Sequence, residues 1–123
     1  MLNLQTSAQI VVITNEDKEF EKTPYANHKF AVYMRTLSST ERFKALEKAT
    51  TIIKGKEEID FLKLNLELLY LAIEKWEGLY ADNKEIECNK TNIKNLFEFS
   101  QDFSQRLLNA YNRKTQIEDK KKA

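Results

Sequence analysis

Glycine and proline are almost absent from this 123-residue chain, which has two Gly, Gly55 and Gly78, and one Pro, Pro24. So few turn formers argue against a sandwich of many short strands and against a collagenous chain. Two isolated glycines also cannot build a phosphate-cradling loop. The single cysteine, Cys88, excludes an intramolecular disulfide and suits a reducing compartment. The single histidine, His28, falls in a different expected loop, so neither residue has a sequence partner for nucleophilic or general-base chemistry. No apolar run nears the roughly 20 residues needed to span a bilayer, and no basic segment followed by a hydrophobic stretch opens the chain. A cytoplasmic protein without membrane contact is the expectation.

What is present is charge and a moderate apolar content, 32% and 41% of residues, enough for one core. Basic and acidic residues nearly cancel to a formal +1, without the excess expected of a protein held on DNA by phosphate contacts. The balance is uneven along the chain: −2 over residues 1–28, +5 over 29–56, −5 over 57–98 and +3 over 99–123. Such alternation suits contacts between basic and acidic elements, within or between chains, at least as well as a polyanion site. The one candidate nucleic-acid surface is Lys29, Arg35, Arg42, Lys44, Lys48, Lys54 and Lys56 with Phe30 and Tyr33 interleaved, but Arg42 and Lys44 do not share a helix face. Nucleic acid is therefore not the expected partner. Glu57, Glu58 and Asp60 supply carboxylates without His, Cys or a Gly-turned calcium loop, so they read as the acidic start of a helix, and no metal or cofactor is expected.

Local patterns predict a mainly α protein. The β-branched run Gln9 to Thr14 reads as a strand, Asn15 to Asn27 as a loop or wide turn, and Lys29 to Arg35 as a second strand with Phe30, Val32 and Met34 on one face. Ser38 with Glu41 three residues on forms a capping-box pattern for a helix from Ser39 to about Lys54, stopped at Gly55. A long helix is expected from about Glu57 to Tyr80, because Ile59, Leu62, Leu66, Leu69, Ile73, Trp76 and Tyr80 recur at spacings of three and four. A turn follows at Ala81–Lys84 and an extended piece at Glu85–Cys88. Asn89 is then a candidate cap for a short helix and Ser100 for a last one carrying Phe103, Leu107, Ala110 and Tyr111. The expected architecture is a single domain over residues 1–112, a small helical bundle around one long central helix with a short N-terminal β-hairpin or pair of strands. A charged, disordered tail is expected over 113–123.

Within the long helix a second stripe, Phe61, Leu64, Leu68 and Leu71, adjoins the first. A domain this small has few elements to cover both, so these four residues are the candidate partner-binding surface. Trp76 is expected in the core with Leu69, Ile73 and Tyr111.

The stretch Ala72-Ile73-Glu74-Lys75-Trp76-Glu77-Gly78-Leu79, then Asp82-Asn83-Lys84-Glu85-Ile86, Asn92-Ile93, Leu96-Phe97 and Phe103 to Tyr111, resembles the C-terminal half of tail assembly chaperones of long-tailed (siphovirus-type) bacteriophages or prophages. In that family a helix ends in a Trp-x-Gly element, an acidic turn follows, and a segment with Asn leads into two helices. Residues Phe30 to Phe43 are similar to the preceding part. Asn83 stands where a turn glycine is common and Phe99-Ser100 where a proline often separates the last helices. The resemblance implies a non-enzymatic cytoplasmic assembly factor that binds the tape-measure protein and itself, is absent from the finished tail, and can have a longer frameshifted form. The alternatives are a small DNA- or RNA-associated regulator using residues 29–56, or a structural tail or head-completion protein.

Overall fold

The β-branched run near the N-terminus forms β1 (Ile10–Thr14), and the alternating run after the Pro24 segment forms β2 (Ala31–Arg35), in a computed structural model that describes residues 1–115. Ser38 then opens α1 (Ser39–Ala49) with both halves of a capping box: its hydroxyl accepts from Glu41 N–H at 3.1 Å, and Glu41 Oε1 accepts from Ser38 N–H at 3.0 Å. The chain leaves α1 directly into β3 (Thr50–Ile53), turns at Lys54-Gly55 and returns as β4 (Lys56–Ile59). Asp60 caps α2 (Phe61–Ala72), accepting from the Leu62 and Lys63 N–H groups at 3.1 Å. Strand β5 (Ile73–Glu77) follows without a loop, then a small ladder of β6 (Tyr80–Ala81) with β7 (Lys84–Glu85). Asn89 caps α3 (Lys90–Phe99), and α4 (Gln101–Thr115) begins after Ser100.

The main sheet has the antiparallel order β1-β2-β5. Its register places Val11 opposite Met34, Ile13 opposite Val32, Val32 opposite Trp76 and Met34 opposite Ile73, so one face is a continuous apolar layer. Leu69 and Ala72 of α2, Ile93 of α3, and Phe103, Leu107, Leu108, Ala110 and Tyr111 of α4 complete the core on that side. Phe20, Phe30, Phe103 and Tyr25 form a further aromatic cluster with centroids 5.0–6.0 Å apart, which ties the Asn15–Asn27 segment down. On the opposite, wetter face Lys75 lies over the Tyr33 ring at 4.4 Å.

These observations correct the expected fold class. The protein is α+β, with four helices and three small antiparallel sheets among the described residues, not a mainly α bundle around a long central helix. The expected helix from Glu57 to Tyr80 is three elements, β4, α2 and β5, and the helix expected to reach Lys54 ends at Ala49. Gly55, read as a helix stop, lies in a hairpin turn in which Lys54 (φ +52°) and Gly55 (φ +78°) are both left-handed, the pair that a two-residue connection matching strand twist requires. Trp76 is buried, 6% exposed, in one core with Leu69, Ile73 and Tyr111, but it stands on a strand and its Nε1 donates to Ile86 O at 2.7 Å. The Trp-x-Gly element thus closes a strand. Gly78 (φ +77°) lies so near the start of β2 that a Cβ there would sit 2.3 Å from Lys29 O.

Of the tail expected at 113–123, Arg113 to Thr115 belong to α4, and 116–123 lie outside the described residues. Arg113 Nε meets Glu19 Oε2 at 2.7 Å and its Nη2 meets Asp17 Oδ1 at 3.0 Å. Lys114 Nζ reaches Asp17 Oδ1 at 2.9 Å and Val12 O at 2.6 Å. Arg106 adds a bond to Glu19 O at 2.8 Å. The acidic first segment and the basic last one are therefore joined within the chain. The Glu19 carboxyl is held below its ordinary value chiefly by the Arg113 hydrogen bond. Burial pushes the Asp17 carboxyl up, but the Thr14 N–H, Lys114 and Arg113 together outweigh it and hold it low.

Candidate interaction surface

Between β2 and β5 the chain makes an excursion, α1-β3-β4-α2, whose outer end is exposed. The helices α1 and α2 pack side by side with Ala45 and Ala49 buried, Ala49 at the hairpin junction where its O accepts from Asp60 N–H, and Lys48 of α1 approaches Glu67 of α2 at 3.6 Å. At 100° per residue Leu64 and Leu71 flank Glu67 on α2, so that ion pair sets α1 against the stripe containing Leu64, Leu68 and Leu71. All three are half-buried, whereas Phe61, one to three turns further out, is 66% exposed. The four residues expected to form one partner-binding stripe are thus divided: Phe61 is open, and the other three lie where α1 covers part of them.

Beyond Leu64 every residue from Thr51 to Lys63 is exposed. Ile52 (74%), Leu62 (60%), Ile53 (48%) and Ile59 (41%) join Phe61 there. About 12 Å of helix and about 13 Å of hairpin separate Leu69, the first buried residue of α2, from the turn, so these side chains lie beyond reach of the core. Sequence reasoning missed Ile52 and Ile53. The available signal was four β-branched residues, Thr50-Thr51-Ile52-Ile53, directly before a residue-Gly pair.

The groups with catalytic potential are not brought together. His28 borders an apolar hollow of about 300 Å³ with Tyr25, Phe30, Leu79, Ile86 and Phe103, while Cys88 borders a different one beside Glu74, Lys90 and Ile93. Burial, and then the Glu74 charge, push the Cys88 thiol up, away from the reactive thiolate. Among the described residues no three His, Cys, Asp or Glu side chains are grouped as a metal site would need, and no helix is long and apolar enough to cross a membrane. The basic residues of 29–56 do not form one free stripe. Arg35 Nη1 bonds Glu41 Oε1 at 3.1 Å and its Nε lies 3.3 Å from Glu74, and Lys48 meets Glu67.

The arrangement is that of a small α+β domain bearing an apolar-tipped helix–hairpin–helix arm. No family model, curated protein or solved structure matches the chain.

Proposed function

We propose that this chain is a non-enzymatic tail assembly chaperone of a long-tailed bacteriophage or prophage, acting in the host cytoplasm and docking tape-measure protein on the apolar end of its arm. The observation that carries the proposal is the arm tip, where Ile52, Ile53, Ile59, Phe61 and Leu62 stand in solvent within a stretch, Thr51 to Lys63, that is exposed throughout. A monomeric domain gains nothing from such a patch, whereas a factor that shields the apolar faces of long client helices before they assemble needs one. The sequence resemblance supplies the client's identity. The near-neutral formal charge of +1 weighs against the nucleic-acid alternative, since binding carried by phosphate contacts draws on an excess of basic groups.

Co-expression with the tape-measure protein tests the reading. Tagged chain should retain the client, and the double variant Phe61→Glu/Leu62→Glu should lose it while folding normally. Recovery of the parent chain in purified virions would instead assign it to the tail structure, and salt-dependent retention on duplex DNA would assign it to regulation.

A further inference from the structure

We propose that two copies of this chain pair through the outer edge of β3, joining their hairpins into a four-stranded antiparallel sheet centred on Ile52. The β3–β4 ladder has only two strands, and among the described residues neither outer edge has a strand beside it. Which backbone groups those edges offer follows from the register. With Ile53 opposite Lys56 across a two-residue turn, that pair exchanges hydrogen bonds, and bonded pairs then alternate along the ladder, to Thr51 with Glu58 and to Ala49 with Asp60. The Asp60 N–H to Ala49 O bond, 2.8 Å, continues that alternation. The N–H and C=O of Ile52 and Thr50 on β3, and of Glu57 and Ile59 on β4, therefore point away from the hairpin. The Thr50 N–H is already given to Glu47 O at the end of α1, which leaves Ile52 with both groups open.

The two edges differ in a way that selects both the edge and its occupant. Strand β4 carries Lys56, Glu57 and Glu58, the charged side chains that keep an edge from pairing. Strand β3 is Thr-Thr-Ile-Ile, without a charge, a proline or a bulge. In a two-fold antiparallel pair centred on an outward-pointing residue, that residue lies opposite its own copy. Pairing through β4 would set Glu57 against the partner's Glu57, while pairing through β3 sets no charge against its like. Centring the two-fold on Ile52 lets the two Ile52 residues exchange both of their open backbone bonds and puts Thr51 opposite the partner's Ile53. Ile52 and Ile59 share a hairpin face, so the pairing also joins their exposed side chains into one apolar strip across both copies. Nothing in this pairing depends on the client, and client capture is not its readout.

Sedimentation of the full chain over a wide concentration range tests it. The parent should reach twice its 14.5 kDa mass. Ile52→Pro removes an N–H that the hairpin itself does not use, and should raise the dimer dissociation constant about tenfold or more with the helical circular dichroism and melting temperature kept. Glu57→Pro, the corresponding outward position on β4, should leave the dimer intact. A second measurement covers misfolding of the proline variants: Ile52→Cys in a Cys88→Ala background should form an interchain disulfide on mild oxidation, because bonded antiparallel pairs bring Cα atoms within disulfide range, and Ile59→Cys in the same background should not. A parent that stays monomeric, a folded Ile52→Pro chain that stays dimeric, dissociation by Glu57→Pro instead, or no cross-link at position 52 would each overturn the proposal.

Discussion

Gly78→Ala is the sharpest probe of how the sheet is closed, because the two glycines of the chain share a conformation and differ in surroundings. Both have positive φ, +77° at Gly78 and +78° at Gly55, so an alanine at either place meets a similar conformational cost of about 1–2 kcal/mol. Part of it is returned, about 0.4–1 kcal/mol, through the stiffer unfolded chain. At Gly55 nothing lies within 4 Å of the added Cβ, and the loss should end there at about 1 kcal/mol. At Gly78 the Cβ would stand 2.3 Å from Lys29 O and 3.0 Å from Phe30 Cα, both main-chain atoms that cannot rotate away. The entry to β2 must then move off the end of β5, disturbing Phe30 within the aromatic cluster, at an added cost of about 1–3 kcal/mol. The expected total for Gly78→Ala is about 3 kcal/mol, a fall of about 10 °C in melting temperature for a domain of this size. Urea titrations of the two variants beside the parent measure the difference directly. Equal losses at the two positions, or a Gly78→Ala variant as stable as the parent, would refute the close approach of Gly78 to Lys29 and with it the structural reading of the Trp-x-Gly element.

Trp76→Ala should cost about 3–5 kcal/mol, and Trp76 fluorescence in the parent should be blue-shifted from that of hydrated indole. Arg113→Met should cost about 1–3 kcal/mol at neutral pH, because it leaves Asp17 with Lys114 as its remaining cation and takes from the partly buried Glu19 carboxylate the guanidinium it pairs with. Acid unfolding carries a related signature. Glu41 is lowered from 4.5 to about 2, first by the Arg35 hydrogen bond and then by the Ser38 N–H, and Asp17 and Glu19 are lowered as well. Depressed carboxylates stabilise the fold above about pH 4.5 and lose that contribution as pH falls toward about 2, so the parent's melting temperature should drop across that window and Arg113→Met should flatten part of the drop. Leu64→Glu with Leu68→Glu should unfold the arm, since these positions face α1, and retention of full helical signal would place them on a free surface.

Much of the fold was legible residue by residue. The β-branched run before Thr14, the alternation of Phe30, Val32 and Met34, the Ser38/Glu41 box and the Asn89 cap each depend on neighbours a few positions away, and each is found where expected. The long helix failed for a specific reason. Met34 pairs with Ile73 but Tyr33 with Lys75, so Glu74 is an extra residue in β5. That bulge lets Ile73 and Trp76, three positions apart, both enter the core, and a spacing of three joined to the true helical spacing of Leu62, Leu66 and Leu69 reads as one unbroken helix. Ile59 extended the illusion on the other side, although it belongs to an exposed strand. Of the candidate surface, Phe61 was legible from its place in the apolar stripe. The covering of Leu64, Leu68 and Leu71 was not, because it depends on α1 folding back across a hairpin that local periodicity conceals. Similarly, the Arg113 clamp joins residues nearly the whole described chain apart, and its charges alone resemble a solvated tail.

The proposed function requires the arm tip to be a contact surface and not an unfinished core. Phe61 and Leu62 are mostly exposed, so Phe61→Glu/Leu62→Glu should alter stability by no more than about 0.5 kcal/mol. The decisive measurement is a titration of fluorescently labelled tape-measure segments with the parent and with this double variant, with melting temperatures taken on the same samples. The parent should bind saturably, the variant should bind about tenfold or more weakly, and the melting temperatures should agree. Equal affinities with both proteins folded would contradict the proposed function.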